Sequence, residues 1–101
     1  MSTKYKISKD ALQDIEKIWL YTFENWSIEQ ADRYFNLIMD EIEYLILNPK
    51  SGKDYSHIRK GYYRTLVKSH LIFYKINLKE NEVEIVRILH QQMDIESRLN
   101  D

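Results

Sequence analysis

The chain has no cysteine, a single proline and two glycines among 101 residues. Without cysteine there are no disulfides and no thiol chemistry, which fits a reducing compartment. No apolar run approaches the length that crosses a bilayer. Met1 to Lys9 lacks the apolar core of a signal peptide, so the chain is expected in the cytoplasm, away from membranes. The three histidines lie far apart, with no H-x-x-x-H and no cysteine pair, so no metal site is expected. Glycine fingerprints for dinucleotides and phosphates are missing, as is a G-x-S-x-G elbow, and no cofactor is expected. There is no internal repeat, low-complexity tract or linker, and the length suits one domain spanning 1–101.

What is present is aromatic and charged. Eight tyrosines, two tryptophans and three phenylalanines must share one core and its half-wet margins. Net charge is −1, but it is unevenly spread. Asp10 to Asn48 carries nine acidic residues against Lys17 and Arg33, whereas Lys50 to Lys75 carries seven basic residues against Asp54. A basic stretch beside strands points to an anionic partner, nucleic acid or an acidic protein segment; alternatively it neutralises the acidic helices within the fold.

Glu82 to Asp94 organises the chain. Val83, Ile85, Val86, Ile88 and Leu89 make its first part the most β-prone segment, and apolar residues of both parities mark an interior strand. Arg87 in its middle and His90 at its end are costly there unless compensated. Either Arg87 pairs with a carboxylate such as Glu84 or Glu82, or the strand floors a polar surface.

Before it, Lys4 to Ile7 reads as a short edge strand. Ser8 is a helix N-cap, and Leu12, Ile15, Trp19, Phe23 and Trp26 recur at the spacing of a buried helical face from Lys9 onward. Ser27 and Gln30 form a capping box for a second helix. Its core face is Ala31, Phe35, Ile38, Ile42 and Leu45, and Asn48-Pro49 ends it after about 20 residues and about 30 Å. Leu20, Tyr21, Leu37 and Tyr44 fall outside these arcs, as scattered surface residues or as a docking surface. Pro49 to Gly61 reads as a loop. Tyr62 to Lys68, His70 to Asn77 and Glu82 to His90 read as a meander of three strands with turns at Ser69 and Lys79 to Asn81. A short helical turn closes the chain between Met93 and Asn100. The order β-αα-βββ specifies a two-layer α+β domain, a helical hairpin on a small, mainly antiparallel sheet whose other face is open to solvent or ligand.

RNA cleavage needs a base, an acid and cations at one phosphate, and Arg59, Arg64, Arg87, His70 and His90 supply these types if the fold gathers them.

The order of these elements, with R-K-G-Y-Y-R at Arg59 to Arg64, H-L-I-F-Y at His70 to Tyr74 and V-R-I-L-H-Q-Q-M-D at Val86 to Asp94, resembles the ParE branch of the RelE/ParE toxin superfamily. So do W-S-x-x-Q-A-x-x-Y at Trp26 to Tyr34 and L-x-x-N-P-x-x-G at Leu45 to Gly52. The resemblance covers nearly the whole chain. It implies a RelE-like fold with the last strand between the first and the meander, and a type II toxin neutralised by a ParD-like antitoxin in a hetero-oligomer. In that setting Leu20, Tyr21, Leu37 and Tyr44 become antitoxin contacts, with the acidic residues of the antitoxin expected to meet Lys50 to Lys75. Characterised ParE members poison DNA gyrase, whereas RelE is a ribosome-dependent mRNA endonuclease. RelE-like nucleases often end on a tyrosine or histidine; here the last tyrosine is Tyr74 and only His90 follows Leu89. The resemblance therefore implies no catalytic residues and a basic target-binding face of Arg59, Arg64, His70, Arg87 and His90. Alternatively, Arg87 and His90 pair with Asp94 or a glutamate to lock the C-terminus. An interferase acting on ribosome and mRNA, or a non-toxic domain that still binds antitoxin, are the other readings.

Overall fold

The computed structural model describes residues 4–93 and 95–99. Strand β1 (Lys4–Ile7) is followed by helices α1 (Lys9–Asn25) and α2 (Ile28–Leu47) and a 3-10 turn (Pro49–Ser51). Strands β2 (Lys53–Asp54), β3 (Tyr62–Val67), β4 (His70–Asn77) and β5 (Glu82–His90) then lead to helix α3 (Ile95–Leu99). The sheet order is β1-β5-β4-β3-β2. Only the β1–β5 pair is parallel. The β-αα-βββ order and the inner place of the last strand match the expectation; β2 is an addition. Its two exposed, charged residues pair with Arg64 and Tyr63 at the sheet edge, too short a run to show in hydropathy.

Local chemistry sets the boundaries. The Ser8 hydroxyl accepts from Ala11 N at 3.0 Å and starts α1. Ser27 accepts from Gln30 N at 3.1 Å and starts α2. Each bond satisfies a helix N–H that has no intrahelical acceptor. Val67 pairs with His70 across a two-residue turn, in which Lys68 holds a left-handed φ of 55°. At the other end of β3, Gly61 has φ 81°, where a side chain would be strained.

The β5 strand serves two cores. A bulge places Tyr74 opposite Ile85 and Phe73 opposite Arg87, so Val86 is an extra residue and the parity of the strand changes there. Val83, Ile85 and Ile88 join Ile15, Ile38, Ile42, Leu45, Ile72 and Tyr74 beneath the helices. Leu89 joins Tyr55, Tyr62, Leu71, Phe73 and Leu99 in a second cluster, with Val86, Ile58 and Ile95 against it. The second face is therefore covered by the 55–58 segment and α3, a correction to the expectation of an open face. Both parities of β5 are apolar because both faces are packed.

The α1 face also differs from the expected arc. Its buried residues are Ala11, Asp14, Ile15 and Thr22. Trp26 is 67% exposed, and Leu12 and Phe23 are exposed as well. Helix α2 buries Ala31, Ile38, Ile42 and Leu45 as expected, while Phe35 stays exposed.

Candidate partner-binding groove

The five residues read as one basic face lie in three places. Arg87 donates from Nε and Nη2 to Asp14 Oδ2 and Oδ1, at 2.8 and 3.1 Å. The Asp14 carboxylate also accepts from Ile88 N at 2.9 Å. β1 pairs with β5 only through Ile85, and beyond it α1 finishes the edge: Asp14 takes the Ile88 N–H and the Ser8 hydroxyl donates to Val86 O at 2.7 Å. Arg87 is thus bound to α1 rather than to the glutamates, which pair with lysines, Glu84 with Lys75 at 3.3 Å and Glu82 with Lys6 at 3.5 Å. Asp94, the other expected partner, lies outside the described residues.

Arg64 and Arg59 belong to the second core's surface. The Arg64 guanidinium lies 5.0 Å from the Tyr55 ring centroid, and that of Arg59 lies 5.8 Å from the Tyr62 ring. His70 and His90 sit together, paired across β4 and β5 with ring centroids 5.2 Å apart, at the end of the sheet next to the β3–β4 turn. The fold does not gather the set around one phosphate.

What it gathers instead is a groove of about 820 Å³ between the helical hairpin and the β3–β4 turn. His70 and His90 line it together with Tyr21 and Leu37, so it unites two of the five residues of the expected basic face with two of the four of the expected docking surface. Leu20 is exposed elsewhere on α1, and Tyr44 borders a separate hollow of about 480 Å³ beside Pro49 and Ile76. Further lining residues include Trp26, Lys17, Arg33 and Tyr34, which the sequence did not single out for binding, and Lys68 from the basic Lys50 to Lys75 stretch. Trp26 supplies an exposed ring in edge contact with Tyr21, while Lys17, Arg33 and Lys68 bring cations and Tyr34 a hydroxyl. Trp26 was readable in principle, because it stands in the connection between the helices where little can cover it.

Tyr34 fixes His70. Its Oη lies 2.5 Å from His70 Nδ1, donates to Val67 O at 3.2 Å and accepts from Ser69 N at 3.3 Å. A phenol has one proton, so all three contacts are satisfied together only if Nδ1 of His70 donates and Nε2 is the basic nitrogen. His90 is the complement: its Nδ1 accepts from Gln92 N at 3.1 Å, which leaves the proton on Nε2. Burial, and then the neighbouring His90, push His70 down to about 4 against the opposing pull of the Asp14 carboxylate. Burial also raises the Tyr34 phenol, partly offset by the Ser69 N–H. The groove therefore presents a neutral His70 imidazole near pH 7 and is suited to binding an amphipathic surface. Among the described residues, no group of three His, Cys, Asp or Glu side chains is placed to hold a metal ion. Nor is any helix there long and apolar enough to cross a membrane.

A family model described as the ParE toxin of the type II toxin–antitoxin system parDE matches residues 5–95. The chain belongs to the ParE toxin family. Toxin ParE1 of Mycobacterium tuberculosis is 34% identical over 99 residues, covering 98% of this chain and all of the relative. Toxin ParE1 of Caulobacter vibrioides is 35% identical over 95 residues, covering 94% of this chain and 96% of the relative. Among solved structures, the chromosomal ParDE system from P. aeruginosa matches with a TM-score of 0.76 at 16% identity, over 88% of this chain and 96% of that one. That likeness concerns the fold, which the ParE family shares with the architecture described above. The chain is the toxin component of a type II system, and its groove lies on the helical side of a ParE fold.

Proposed function

We propose that this ParE-family toxin binds DNA gyrase and so halts replication, and that a cognate ParD-like antitoxin silences it by occupying the groove between the hairpin and the β3–β4 turn. The observation that carries the choice of a binding toxin over a nuclease is the separation of Arg59, Arg64 and Arg87 from the two histidines. Cleavage of the RelE kind places a base, an acid and phosphorane-stabilising cations around one phosphate. Here Arg87 is held by Asp14, Arg64 lies over Tyr55, and the two histidines stand in the groove. Support for the antitoxin comes from exposed apolar side chains, Tyr21, Trp26 and Leu37, that meet in one concavity; such a patch favours a docked segment.

Inducible expression in bacteria, scored by microscopy and by pulse labelling, tests the reading. Filamentation with DNA synthesis failing first is the expected result. Protein synthesis failing first would overturn it in favour of an interferase on ribosome and mRNA, and unimpaired growth would favour a non-toxic antitoxin-binding domain.

A further inference from the structure

The groove is cationic on a domain whose hairpin is acidic. Lys17 from α1, Arg33 from α2 and Lys68 from the β3–β4 turn stand around its apolar floor. Lys17 and Arg33 are the only two basic residues between Asp10 and Asn48, and both line it. Of the seven basic residues from Lys50 to Lys75, Lys68 alone does so. No Asp or Glu is among the described residues that line the groove, so an anionic partner meets no carboxylate from them. A peptide that is apolar on one side and carries carboxylates at the groove fits both the floor and the rim.

Resting on the reading that an antitoxin occupies this groove, we propose that the occupant is an acidic amphipathic segment that sets a carboxylate against the His70–His90 pair, and that its docking is coupled to uptake of a proton by His70. The groups around His70 are Asp14 and Lys17 from α1, with Arg87 bound to that Asp14, Tyr34 and Arg33 from α2, Lys68 from the turn and His90 from β5. Asp14 is the one anion of this set and is already shared with Arg87 and the Ile88 N–H. In the empty groove the balance keeps His70 neutral. An added carboxylate reverses that balance, because an anion within a few ångströms favours the imidazolium. An apolar segment with no carboxylate would do the opposite, desolvating His70 further. The sign of the pH dependence therefore reports the chemistry of the occupant.

Sufficient stabilisation to return His70 from about 4 to its ordinary 6.5 makes binding about tenfold tighter on going from about pH 7.5 to about pH 5.5. The test is titration calorimetry of the full chain with its cognate antitoxin at these two pH values, each in two buffers of different ionisation enthalpy. Proton uptake near pH 6 and tighter binding at the lower pH are expected. His70→Asn, which keeps a donor at the Nδ1 position for Tyr34, brings the affinity ratio between the two pH values to about one. Leu37→Glu tests the underlying reading separately: unchanged affinity there would mean that the antitoxin docks elsewhere. If Leu37→Glu weakens binding while the wild-type pH ratio is flat or inverted, the groove is the site and the carboxylate proposal is overturned. Displacement of the antitoxin by a short DNA duplex, lost in Lys17→Ala and Lys68→Ala, would assign the groove to nucleic acid and also overturn it.

Discussion

Asp14 joins helix α1 to the inner strand β5 through Arg87 and the Ile88 N–H. Its side chain is 9% exposed and that of Arg87 is 18% exposed, so both charges are largely out of water. Removing one partner of such a pair costs about 3–5 kcal/mol, because the other stays buried without its counter-ion. Asp14→Ala also takes the acceptor from Ile88 N–H. Thermal unfolding followed by circular dichroism should fall by more than about 10 °C for this variant, at the 4–8 °C per kcal/mol expected of a domain this size. Arg87 is where sequence reading reached the need for a carboxylate and missed its source. Glu82 and Glu84 are close in sequence, whereas Asp14 lies 73 positions away and is brought near only by the packing of α1 on β5. A single sequence carries no mark of so distant a pair.

His70 makes stability itself pH-dependent. Its folded value of about 4 is below the 6.5 of the unfolded chain, so between the two the unfolded state binds more protons. Stability from this group is complete above pH 6.5 and is lost as pH falls toward about 4. After discounting for its partial exposure, the loss is about 1–2 kcal/mol. Urea unfolding at both ends of that window, compared between wild type and His70→Asn, should show a smaller acid loss in the variant; equal losses would remove His70 from the account.

At the scale of elements, the capping residues, the breaks at Asn48-Pro49 and the alternation of β3 and β4 were legible, because each depends on neighbours in sequence. The rotation of α1 was not. Hydropathy favours Leu12, Trp19, Phe23 and Trp26, but the helix buries Asp14 and Thr22, whose polar atoms are satisfied by Arg87, Ile88 N and Ile18 O. Satisfied polar groups can replace apolar ones in a core, and here that turns the true face by about one residue from the apparent arc. The displaced aromatics organise the outer side: Trp19 stacks on Phe23 at 5.4 Å and donates to Asp32 of α2 at 3.0 Å, while Trp26 is left for the groove.

The L-x-x-N-P-x-x-G stretch likewise has a structural account that spacing alone did not reveal. Tyr74, fully buried, donates its hydroxyl to Pro49 O at 2.8 Å and accepts from Gly52 N at 2.9 Å, tying the exit of α2 to β4. A Cβ on Gly52 would fall within 3 Å of the Tyr74 hydroxyl and of Arg64 O. Gly52→Ala should therefore cost about 1–3 kcal/mol, the range for overpacking a tight site, measurable by chemical denaturation. A neutral result would show that the 49–52 turn can shift without disturbing Tyr74.

At the scale of the whole molecule, one sheet packed on both faces separates the charges that the sequence placed near one another. Arg59 and Arg64 belong to the far side, Arg87 to the α1 edge, and the histidines to the groove. That partition favours a toxin that acts by binding. Its most direct test is supercoiling of relaxed plasmid by purified gyrase in the presence of increasing amounts of the full chain. Loss of supercoiling, restored by an equimolar amount of cognate antitoxin and not restored when Leu37→Glu blocks its docking, is the predicted result. Full supercoiling at saturating protein, from a preparation that still arrests growth, would contradict the gyrase reading.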